Sequence, residues 1–359
     1  MEIGLVGLPM VGKTTFFNLL TGAALPAGVA GDTKVHAGSA PVPDKRLEVL
    51  ASVYRPRKVT CARVDFKDIP GLDPRRADRA GAVRFLEEVR GADALCLVVR
   101  AFTAGGIPAY FDAVAPFKEL LEVSAELALA DIFLAERRLE RLRGGKRIPK
   151  QVEAEVSLLE RCLEALNNER PVSEIALAPG EENLFKGYGF LTTKPVIVAV
   201  NLDEDGIRHR DFPQREALLN YAAERRIPVV EVAALLEAEI ARLLPQDRFE
   251  FLTDLGLEEP GIARLAMAAY RSLGFISFFT IASDEVRAWT IKAGTTAKKA
   301  AGKVHSDMER GFIRAEVFHF DELFRLGTPA KVREAGLLRL EGKDYIVRDG
   351  DVVHFRFKV

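Results

Sequence analysis

Cysteine is scarce in this chain of 359 residues, and long apolar runs are absent from it. The three cysteines, Cys61, Cys96 and Cys162, stand far apart without a CxxC pair, which argues against a disulfide framework or a zinc ribbon. No apolar run approaches the roughly eighteen residues of a membrane span, so we expect no membrane partner. The first residues lack a basic segment and a cleavage site, and they predict a strand rather than a signal peptide. These features together predict a cytoplasmic protein.

A large excess of either charge is also missing. Lys and Arg number 51 and Asp and Glu number 52, for a formal net charge of −1. This balance argues against a polycation that coats nucleic acid non-specifically, and we expect no DNA partner and a monomer. Residues 277–359 hold fifteen basic and twelve acidic residues, a mild excess that favours an acidic partner such as RNA only weakly.

Short β-rich runs alternate with helical stretches over residues 1–118, and the same alternation returns over 188–276. The segments between the runs are long enough for crossover connections, which predicts an α/β domain with a parallel sheet and helices on its faces. The predicted strands are Ile3–Gly7, Ala62–Ile69, Ala94–Arg100, Pro195–Val200 and Pro228–Val232.

Residues 119–187 differ from their surroundings because they are rich in Leu, Ala, Glu and Arg. Apolar residues recur at heptad spacing from Leu120 to Leu134 and again from Val152 to Leu166, with a Gly/Pro-containing turn between the two runs. This pattern predicts an antiparallel helical hairpin, a coiled-coil insertion into the α/β domain. The alternative is a pair of ordinary amphipathic surface helices.

The tail, residues 277–359, predicts a small separate α+β domain. Its β-like runs are divided by Gly and Asp turns. The predicted strands are Phe278–Ile281, Arg287–Ile291, Ile313–Val317, Asp344–Val347 and Val352–Phe357.

The first predicted turn has the pattern GxxxxGK[ST], which runs from Gly7 to Thr14 between a strand and a helix. Backbone N–H groups of such a loop surround a β-phosphate, and the helix adds its positive N-terminal end. Lys13 would neutralise β- and γ-phosphate oxygens, and the Thr14 hydroxyl would bind Mg²⁺. The residues expected to hold the nucleotide here are Gly7, Met10, Val11, Gly12, Lys13, Thr14 and Thr15.

A second motif, D-x-x-G, ends the second predicted strand at Asp68 and Gly71. We expect Asp68 to hold Mg²⁺ through water and the Gly71 N–H to contact the γ-phosphate. These two residues and Lys13 are the predicted catalytic set. Thr33 is the candidate for a third metal-binding oxygen, from the segment that follows the first helix.

The segment that begins at Asn201 is the candidate base-reading element. Guanine-specific loops have N-K-x-D, in which the Asp accepts two hydrogen bonds from guanine, whereas this chain has Leu202 and Glu204 at the Lys and Asp positions. Glu is one methylene longer than Asp, so we expect relaxed or reversed base preference, towards ATP. The alternative is that Glu204 is a solvated acid and only Asn201 matters.

The position after D-x-x-G, which in Ras-like enzymes holds a glutamine that orients the attacking water, is Leu72. An aliphatic side chain cannot orient water, so slow unaided hydrolysis is expected. An arginine from Asp73–Arg79 could reach the γ-phosphate, although solvation or a partner contact is the favoured interpretation of these arginines.

With these motifs, the chain resembles the YchF/Obg-like ATPase family of TRAFAC P-loop proteins over nearly its whole length. The resemblance rests on GLPMVGKTT, on DIPGL, on NLDEDG in place of NKxD, and on the helical insertion; the run Glu285–Phe357 is similar to the family's TGS domain, a small β-grasp unit. It implies a cytosolic, Mg²⁺-dependent ATPase with weak intrinsic hydrolysis that associates with ribosomes and their RNA. It also implies that Asn201, Leu202 and Glu204 form an adenine pocket.

Three segments depart from the family pattern. Met10 stands where Asn is usual, the segment Asp73–Ala82 is rich in Arg, Asp and Ala rather than Gly and Lys, and Asp32–His36 replaces a Thr-Ile-Glu-Pro-Asn run. Two alternatives to the ATP-hydrolysing switch therefore stay open. One is a GTPase that acts in translation, and the other is an RNA- or ribosome-binding scaffold with a nucleotide site but little hydrolysis.

Overall fold

The computed structural model describes residues 2–26, 34–75, 79–103, 109–144, 150–282 and 284–358. Its strands are, in chain order, β1 (Glu2–Val6), β2 (His36–Pro41), β3 (Lys58–Thr60), β4 (Arg63–Asp68), β5 (Ala94–Ala101), β6 (Val196–Leu202), β7 (Val229–Val232), β8 (Phe275–Ile281), β9 (Glu285–Lys292), β10 (Phe312–His319), β11 (Arg339–Glu341) and β12 (Asp351–Phe357). Its helices are α1 (Lys13–Thr21), α2 (Lys45–Tyr54), α3 (Arg79–Gly91), α4 (Pro116–Arg143), α5 (Lys150–Asn167), α6 (Glu182–Tyr188), α7 (Glu204–His209), α8 (Arg215–Glu224), α9 (Ala234–Ile240), α10 (Pro245–Asp254), α11 (Gly261–Ser272), α12 (Ala297–Val304), α13 (Ser306–Arg310), α14 (Phe320–Leu326) and α15 (Pro329–Glu334).

The chain divides into two compact units. The first consists of Met1–Gly38 and Asp65–Leu265, and the second consists of Ser39–Val64 and Ala266–Val359. The predicted three-part division at residues 118, 187 and 276 stays a prediction. None of the described helices is long and apolar enough to cross a membrane.

The first sheet has the strand order β2-β4-β1-β5-β6-β7. Strand β1 pairs in parallel with β4 and β5, and the parallel pairing continues from β5 to β6 and from β6 to β7. Every residue of β5 is buried, as expected for a central parallel strand covered on both faces. The predicted α/β fold with a parallel sheet is therefore confirmed.

The two long helices of the predicted insertion are present as α4 and α5, and they pack against each other. They share an apolar cluster that includes Ala135, Leu139, Leu159 and Cys162. The buried carboxylate of Asp131 on α4 accepts hydrogen bonds from the backbone N–H groups of residues 191 and 192, just before β6. This contact anchors α4 to the parallel sheet, while coiled-coil geometry stays a prediction.

The second unit contains a mixed sheet with the order β11-β10-β12-β8-β9-β3. Strands β10 and β12 are antiparallel, as are β8 and β9, whereas β12 and β8 are parallel. Small residues of α12, Ala297, Ala300 and Ala301, lie in one core cluster with Phe278 and Phe355. Alanine on this helix face lets the aromatic rings pack close to the helix backbone.

One predicted strand is wrong, and three of the observed strands, β2, β3 and β11, were not predicted. The segment Asp344–Val347 forms only an isolated bridge, between Ile346 and Thr296. Its backbone is hydrogen-bonded to the residues around the start of α12: the Tyr345 oxygen accepts from the Ala297 N–H, and the Val347 N–H donates to the Thr295 oxygen. The short strand β3 pairs in parallel with β9, more than two hundred residues away in the chain. Strand β2, with a glycine and a proline, also lacks a strand-like pattern.

Candidate functional site

The loop between β1 and α1 contains two glycines that no other residue could replace without a clash. A Cβ on Gly7 would lie 2.4 Å from the backbone oxygen of Val98, and a Cβ on Gly12 would lie 2.4 Å from Nδ2 of Asn201. Gly12 also has φ of 100°, a left-handed conformation that glycine adopts without strain. The structure thus gives a physical reason for both glycines of the predicted phosphate-binding loop.

Met10 also has a left-handed backbone, with φ of 64°. Asn tolerates this conformation better than other non-glycine residues because its short amide hydrogen-bonds locally. The family that this chain resembles usually has Asn at this position. Met10 adopts the left-handed conformation in its place, and a Met backbone is more strained there than an Asn backbone.

The side chain of Lys13 is buried and folded over its own loop. Its ammonium donates hydrogen bonds to the backbone oxygens of Gly7, at 3.1 Å, and Leu8, at 2.9 Å. Burial lowers the pKa of Lys13 from 10.5 to about 8, and the negative charges of Asp68 and Glu119 partly offset this shift. The loop therefore holds a positive charge where a bound triphosphate needs one.

Thr14 and Asp68 come together at the carboxyl ends of two neighbouring parallel strands. Asp68 ends β4 and is in register with Leu5 of β1, directly before the loop. The Thr14 hydroxyl donates a 2.7 Å hydrogen bond to Oδ2 of Asp68. Hydroxyl and carboxylate oxygens are the hard donors that Mg²⁺ prefers, so this pair fits a magnesium ion. Within the described ranges no three His, Cys, Asp or Glu residues converge.

Gly71 lies against the loop, and Leu72 points into the protein. A Cβ on Gly71 would lie 2.9 Å from Nζ of Lys13 and 3.0 Å from the backbone nitrogen of Pro9. Leu72 is only 6% exposed. The residue that replaces the water-orienting glutamine is thus part of the core.

Arg75 packs on aromatic rings. Its guanidinium carbon lies 3.8 Å from the centre of the Tyr110 ring and 5.5 Å from the centre of the Phe111 ring. The guanidinium of Arg75 thus stacks on rings of the same chain, and the interpretation that these arginines are solvated or contact a partner stays a prediction. Arg76 lies outside the described residues, and the side chain of Arg79 is not described.

Asn201 connects the nucleotide loop to the segment after β7. Its Nδ2 donates to the backbone oxygen of Val11 at 2.9 Å, and its Oδ1 accepts from the backbone N–H of Ala234 at 3.2 Å. Both polar atoms of this buried amide are therefore used inside the protein. The described geometry gives Asn201 a positioning role that its sequence motif alone does not reveal.

The next residues differ sharply in exposure. Leu202 is buried, and Asp203 caps α7 by accepting the Gly206 N–H at 3.0 Å. Glu204 is the first residue of α7, and its exposed side chain accepts a 3.0 Å hydrogen bond from Nε of Arg208. A carboxylate in this arrangement serves the helix surface, as in the solvated alternative.

Thr33 and Glu119 stand apart from the residues described above. Thr33, the predicted metal-binding residue, lies outside the described residues. Glu119, which the sequence reasoning missed, is 2% exposed and accepts a 2.7 Å hydrogen bond from the backbone N–H of Arg100. Burial raises the pKa of Glu119 to about 7, against the opposing effects of Arg100 and Lys13. An acid in the first turn after Pro116 was the available signal, since such acids favour helix starts.

Two family models match the chain. The model MMR_HSR1, described as "50S ribosome-binding GTPase", matches residues 2–134, and the model YchF-GTPase_C, described as "Protein of unknown function (DUF933)", matches residues 275–358.

Full-length relatives are also found. The protein named "Ribosome-binding ATPase YchF" of Haemophilus ducreyi is 41% identical over 100% of this chain and 99% of its own length. The protein of the same name from Bacillus subtilis is 37% identical over the whole of both chains. A solved structure, described as that of the Schizosaccharomyces pombe YchF GTPase, matches with a TM-score of 0.85 and 28% identity over 99% of this chain and 97% of that one.

Proposed function

The chain belongs to the YchF family, and on this premise we propose that it is a magnesium-dependent ATPase that associates with the ribosome and acts as a nucleotide-controlled switch. The relatives from Haemophilus ducreyi and Bacillus subtilis are named ribosome-binding ATPases. A cytoplasmic location follows from a ribosomal partner, and a monomeric state and the lack of a DNA partner stay predictions.

The observation that carries the proposal is the convergence of four groups on one loop. Lys13 and Thr14 belong to one segment and Asp68 and Gly71 to another, and the two segments meet at the carboxyl ends of β1 and β4. In this arrangement the loop amides and Lys13 would bind phosphate oxygens, Thr14 and Asp68 would hold the metal, and the Gly71 N–H would contact the γ-phosphate. Magnesium, when bound, would neutralise charge on the β- and γ-phosphate oxygens.

We propose ATP rather than GTP as the substrate because the base-reading segment lacks a suitable carboxylate. Glu204 bonds to Arg208 at the start of α7, and Leu202 has no charge to offer. The adenine pocket of Asn201, Leu202 and Glu204 stays a prediction, because both polar atoms of Asn201 are bonded within the protein and Leu202 is buried. GTP is the second candidate, because the Schizosaccharomyces pombe relative is described as a GTPase.

Slow intrinsic hydrolysis is part of the proposal. Leu72 is buried, and it carries no group that could orient the attacking water. We therefore propose that ribosome binding supplies or positions a missing group. The helical pair α4–α5 and the C-terminal part of the second unit, which we assign as a TGS-like domain, are the proposed ribosome-binding elements.

The proposal is tested by phosphate release in single-turnover reactions of the full chain with ATP or GTP, with and without Mg²⁺ and purified ribosomes. We expect slow Mg²⁺-dependent release from ATP, faster release with ribosomes, and none from Lys13→Ala. Tighter binding and faster hydrolysis of GTP would favour the GTPase. Nucleotide binding without release under any condition would favour the scaffold.

A further inference from the structure

Helix α4 has apolar residues on two faces. One face is buried and includes Leu120, Val123 and Leu127. A second set, Leu121, Ala125, Leu129 and Phe133, recurs every fourth residue and is exposed. Residues four apart lie on the same side of a helix, so these four form a continuous outer ridge, about 18 Å long at 1.5 Å per residue. We call these four residues the α4 ridge.

Packing among the residues that the structure describes does not explain the α4 ridge. Leu129 is 46% exposed and Phe133 is 69% exposed. The apolar cluster that α4 shares with α5 instead uses Ala135 and Leu139. A helix with one buried face ordinarily has a polar outer face, so a large apolar row on the outside indicates a binding surface.

The charges beside the α4 ridge are negative. No Lys or Arg occurs between residues 119 and 136, whereas Glu122, Glu126 and Glu136 follow the same turns. Partial burial and the neighbouring Glu122 raise the pKa of Glu126, which indicates crowding of like charge on this surface. Phosphate groups are repelled by such a surface, so RNA is a poor occupant.

The last turns of the same helix have the opposite character. Arg137, Arg138, Arg141 and Arg143 are concentrated there, and of these Arg138 and Arg143 pair with Glu155 and Glu160 of α5. A positive end suits RNA phosphates, and a negative apolar middle suits a basic apolar surface. A second copy that placed its own α4 ridge on this one would bring like carboxylates together, so ridge-to-ridge self-association is disfavoured.

We propose that the α4 ridge docks a basic amphipathic segment of a ribosomal protein. This inference rests on the proposed ribosome association and names the kind of partner that α4 contacts there. Apolar side chains of the segment cover Leu129 and Phe133, and its Lys or Arg side chains pair with Glu122, Glu126 and Glu136. In this kind of binding the apolar face of the segment supplies contact area, and the charges on either side select the partner.

The first test is cosedimentation of the full chain with purified ribosomes. In the double variant Leu129→Glu and Phe133→Glu, we expect at least about tenfold weaker binding, because two central apolar contacts become charged. The matched control is Phe249→Glu, which changes a Phe that is 71% exposed on α10, and its binding should equal that of the unmodified chain. Circular dichroism and ATP affinity report whether each variant is folded.

The second test avoids any loss of folding. Full-length chain that carries the photoreactive analogue p-benzoylphenylalanine in place of Phe133 is irradiated on purified ribosomes, and the crosslinked product is analysed by mass spectrometry. A crosslink to a basic ribosomal protein supports the inference, and a crosslink to ribosomal RNA alone overturns it.

The outcomes separate this inference from the proposed function. If the unmodified chain sediments with ribosomes and the folded double variant binds equally well, the α4 ridge is not a docking surface, while ribosome association stands. If the unmodified chain does not bind ribosomes with ATP, with ADP or without nucleotide, both proposals fail.

Discussion

The hydroxyl of Thr14 donates a 2.7 Å hydrogen bond to the carboxylate of Asp68, although the two residues are 54 positions apart in the chain. Their contact follows from the parallel pairing of β1 with β4, which brings the ends of both strands to one edge of the sheet. Two oxygen donors held this closely form a small site for a hard cation.

Replacement of Asp68 by Asn should weaken the response to magnesium. The amide is neutral, so it attracts the cation less strongly, while the phosphate-binding loop is unchanged. We expect the Mg²⁺ concentration for half-maximal ATP hydrolysis to rise at least about tenfold, which corresponds to about 1.4 kcal/mol. The control is Glu88→Gln, which makes the same change from carboxylate to amide on α3. An unchanged Mg²⁺ requirement in Asp68→Asn would remove Asp68 from the metal site.

Replacement of Lys13 by Ala should abolish ATP binding. The variant loses the buried ammonium that faces the loop, and no other part of that side chain can replace its charge. Calorimetric titration with Mg·ATP should show affinity reduced by about a hundredfold or more, the scale of a lost charge-assisted contact of about 3 kcal/mol. Lys67→Ala, a lysine of β4 that pairs with Glu2, should bind as the unmodified chain does. Retained binding in Lys13→Ala would contradict the assignment of the loop.

Replacement of Asn201 by Ala tests whether this residue positions the loop or reads the base. The variant leaves the Val11 oxygen and the Ala234 N–H without their partner, at a cost of about 1–3 kcal/mol for each buried group. If Asn201 acts mainly by positioning, ATP and GTP affinities should fall by similar factors of roughly tenfold or more. A fall for one purine alone would show that its amide contacts the base. Asn168→Ala, at the exposed end of α5, is the matched control.

Glu119 should make stability depend on pH. Its pKa is raised from 4.5 to about 7 in the folded protein, mainly by burial, so the folded state binds the proton more tightly than the unfolded state. The stability linked to this proton is fully present below about pH 4.5 and is lost as the pH rises through about 7. From pH 5 to pH 8 this loss is on the order of 3 kcal/mol.

The variant Glu119→Gln isolates that effect, since its amide oxygen can still accept the Arg100 N–H. The free energy of unfolding is measured by urea titration of both proteins at pH 5 and at pH 8. Between these pH values, the stability of the variant relative to the unmodified chain should rise by on the order of 3 kcal/mol. Glu122→Gln, on the same helix but partly exposed, is the control. Parallel pH profiles of Glu119→Gln and the unmodified chain would contradict a buried titrating acid at this position.

Much of the fold could be predicted because its signals are local. Buried β-branched runs identify β5 and β6, and apolar residues at heptad spacing identify α4 and α5. The wrong strand at Asp344–Val347 has a β-like composition, but its backbone bonds a neighbouring loop. Strand β3 has only three residues and pairs with β9 from the far end of the chain, so no local pattern predicts that pairing.

In the candidate site too, one part could be predicted from local sequence and another part depends on distant contacts. The loop from Gly7 to Thr14 is one contiguous segment, whose glycines, lysine and hydroxyl indicate phosphate binding without knowledge of the rest. The roles of Asn201 and Glu119 depend on contacts with Val11 and Arg100, which lie far away or on another element. Their side chains alone do not distinguish a buried connection from a solvated one.

The sequence by itself determined the phosphate-binding loop, the parallel α/β unit and the helical pair, because the signal for each of their elements lies in residues close together in the chain. Only the tertiary structure decided that Thr14 meets Asp68, that Leu72 and Glu119 are buried, and that Leu129 and Phe133 stay exposed. The physical reason is that burial and contact are set by which elements pack together, and an apolar residue has the same letter whether the fold covers it or leaves it for a partner.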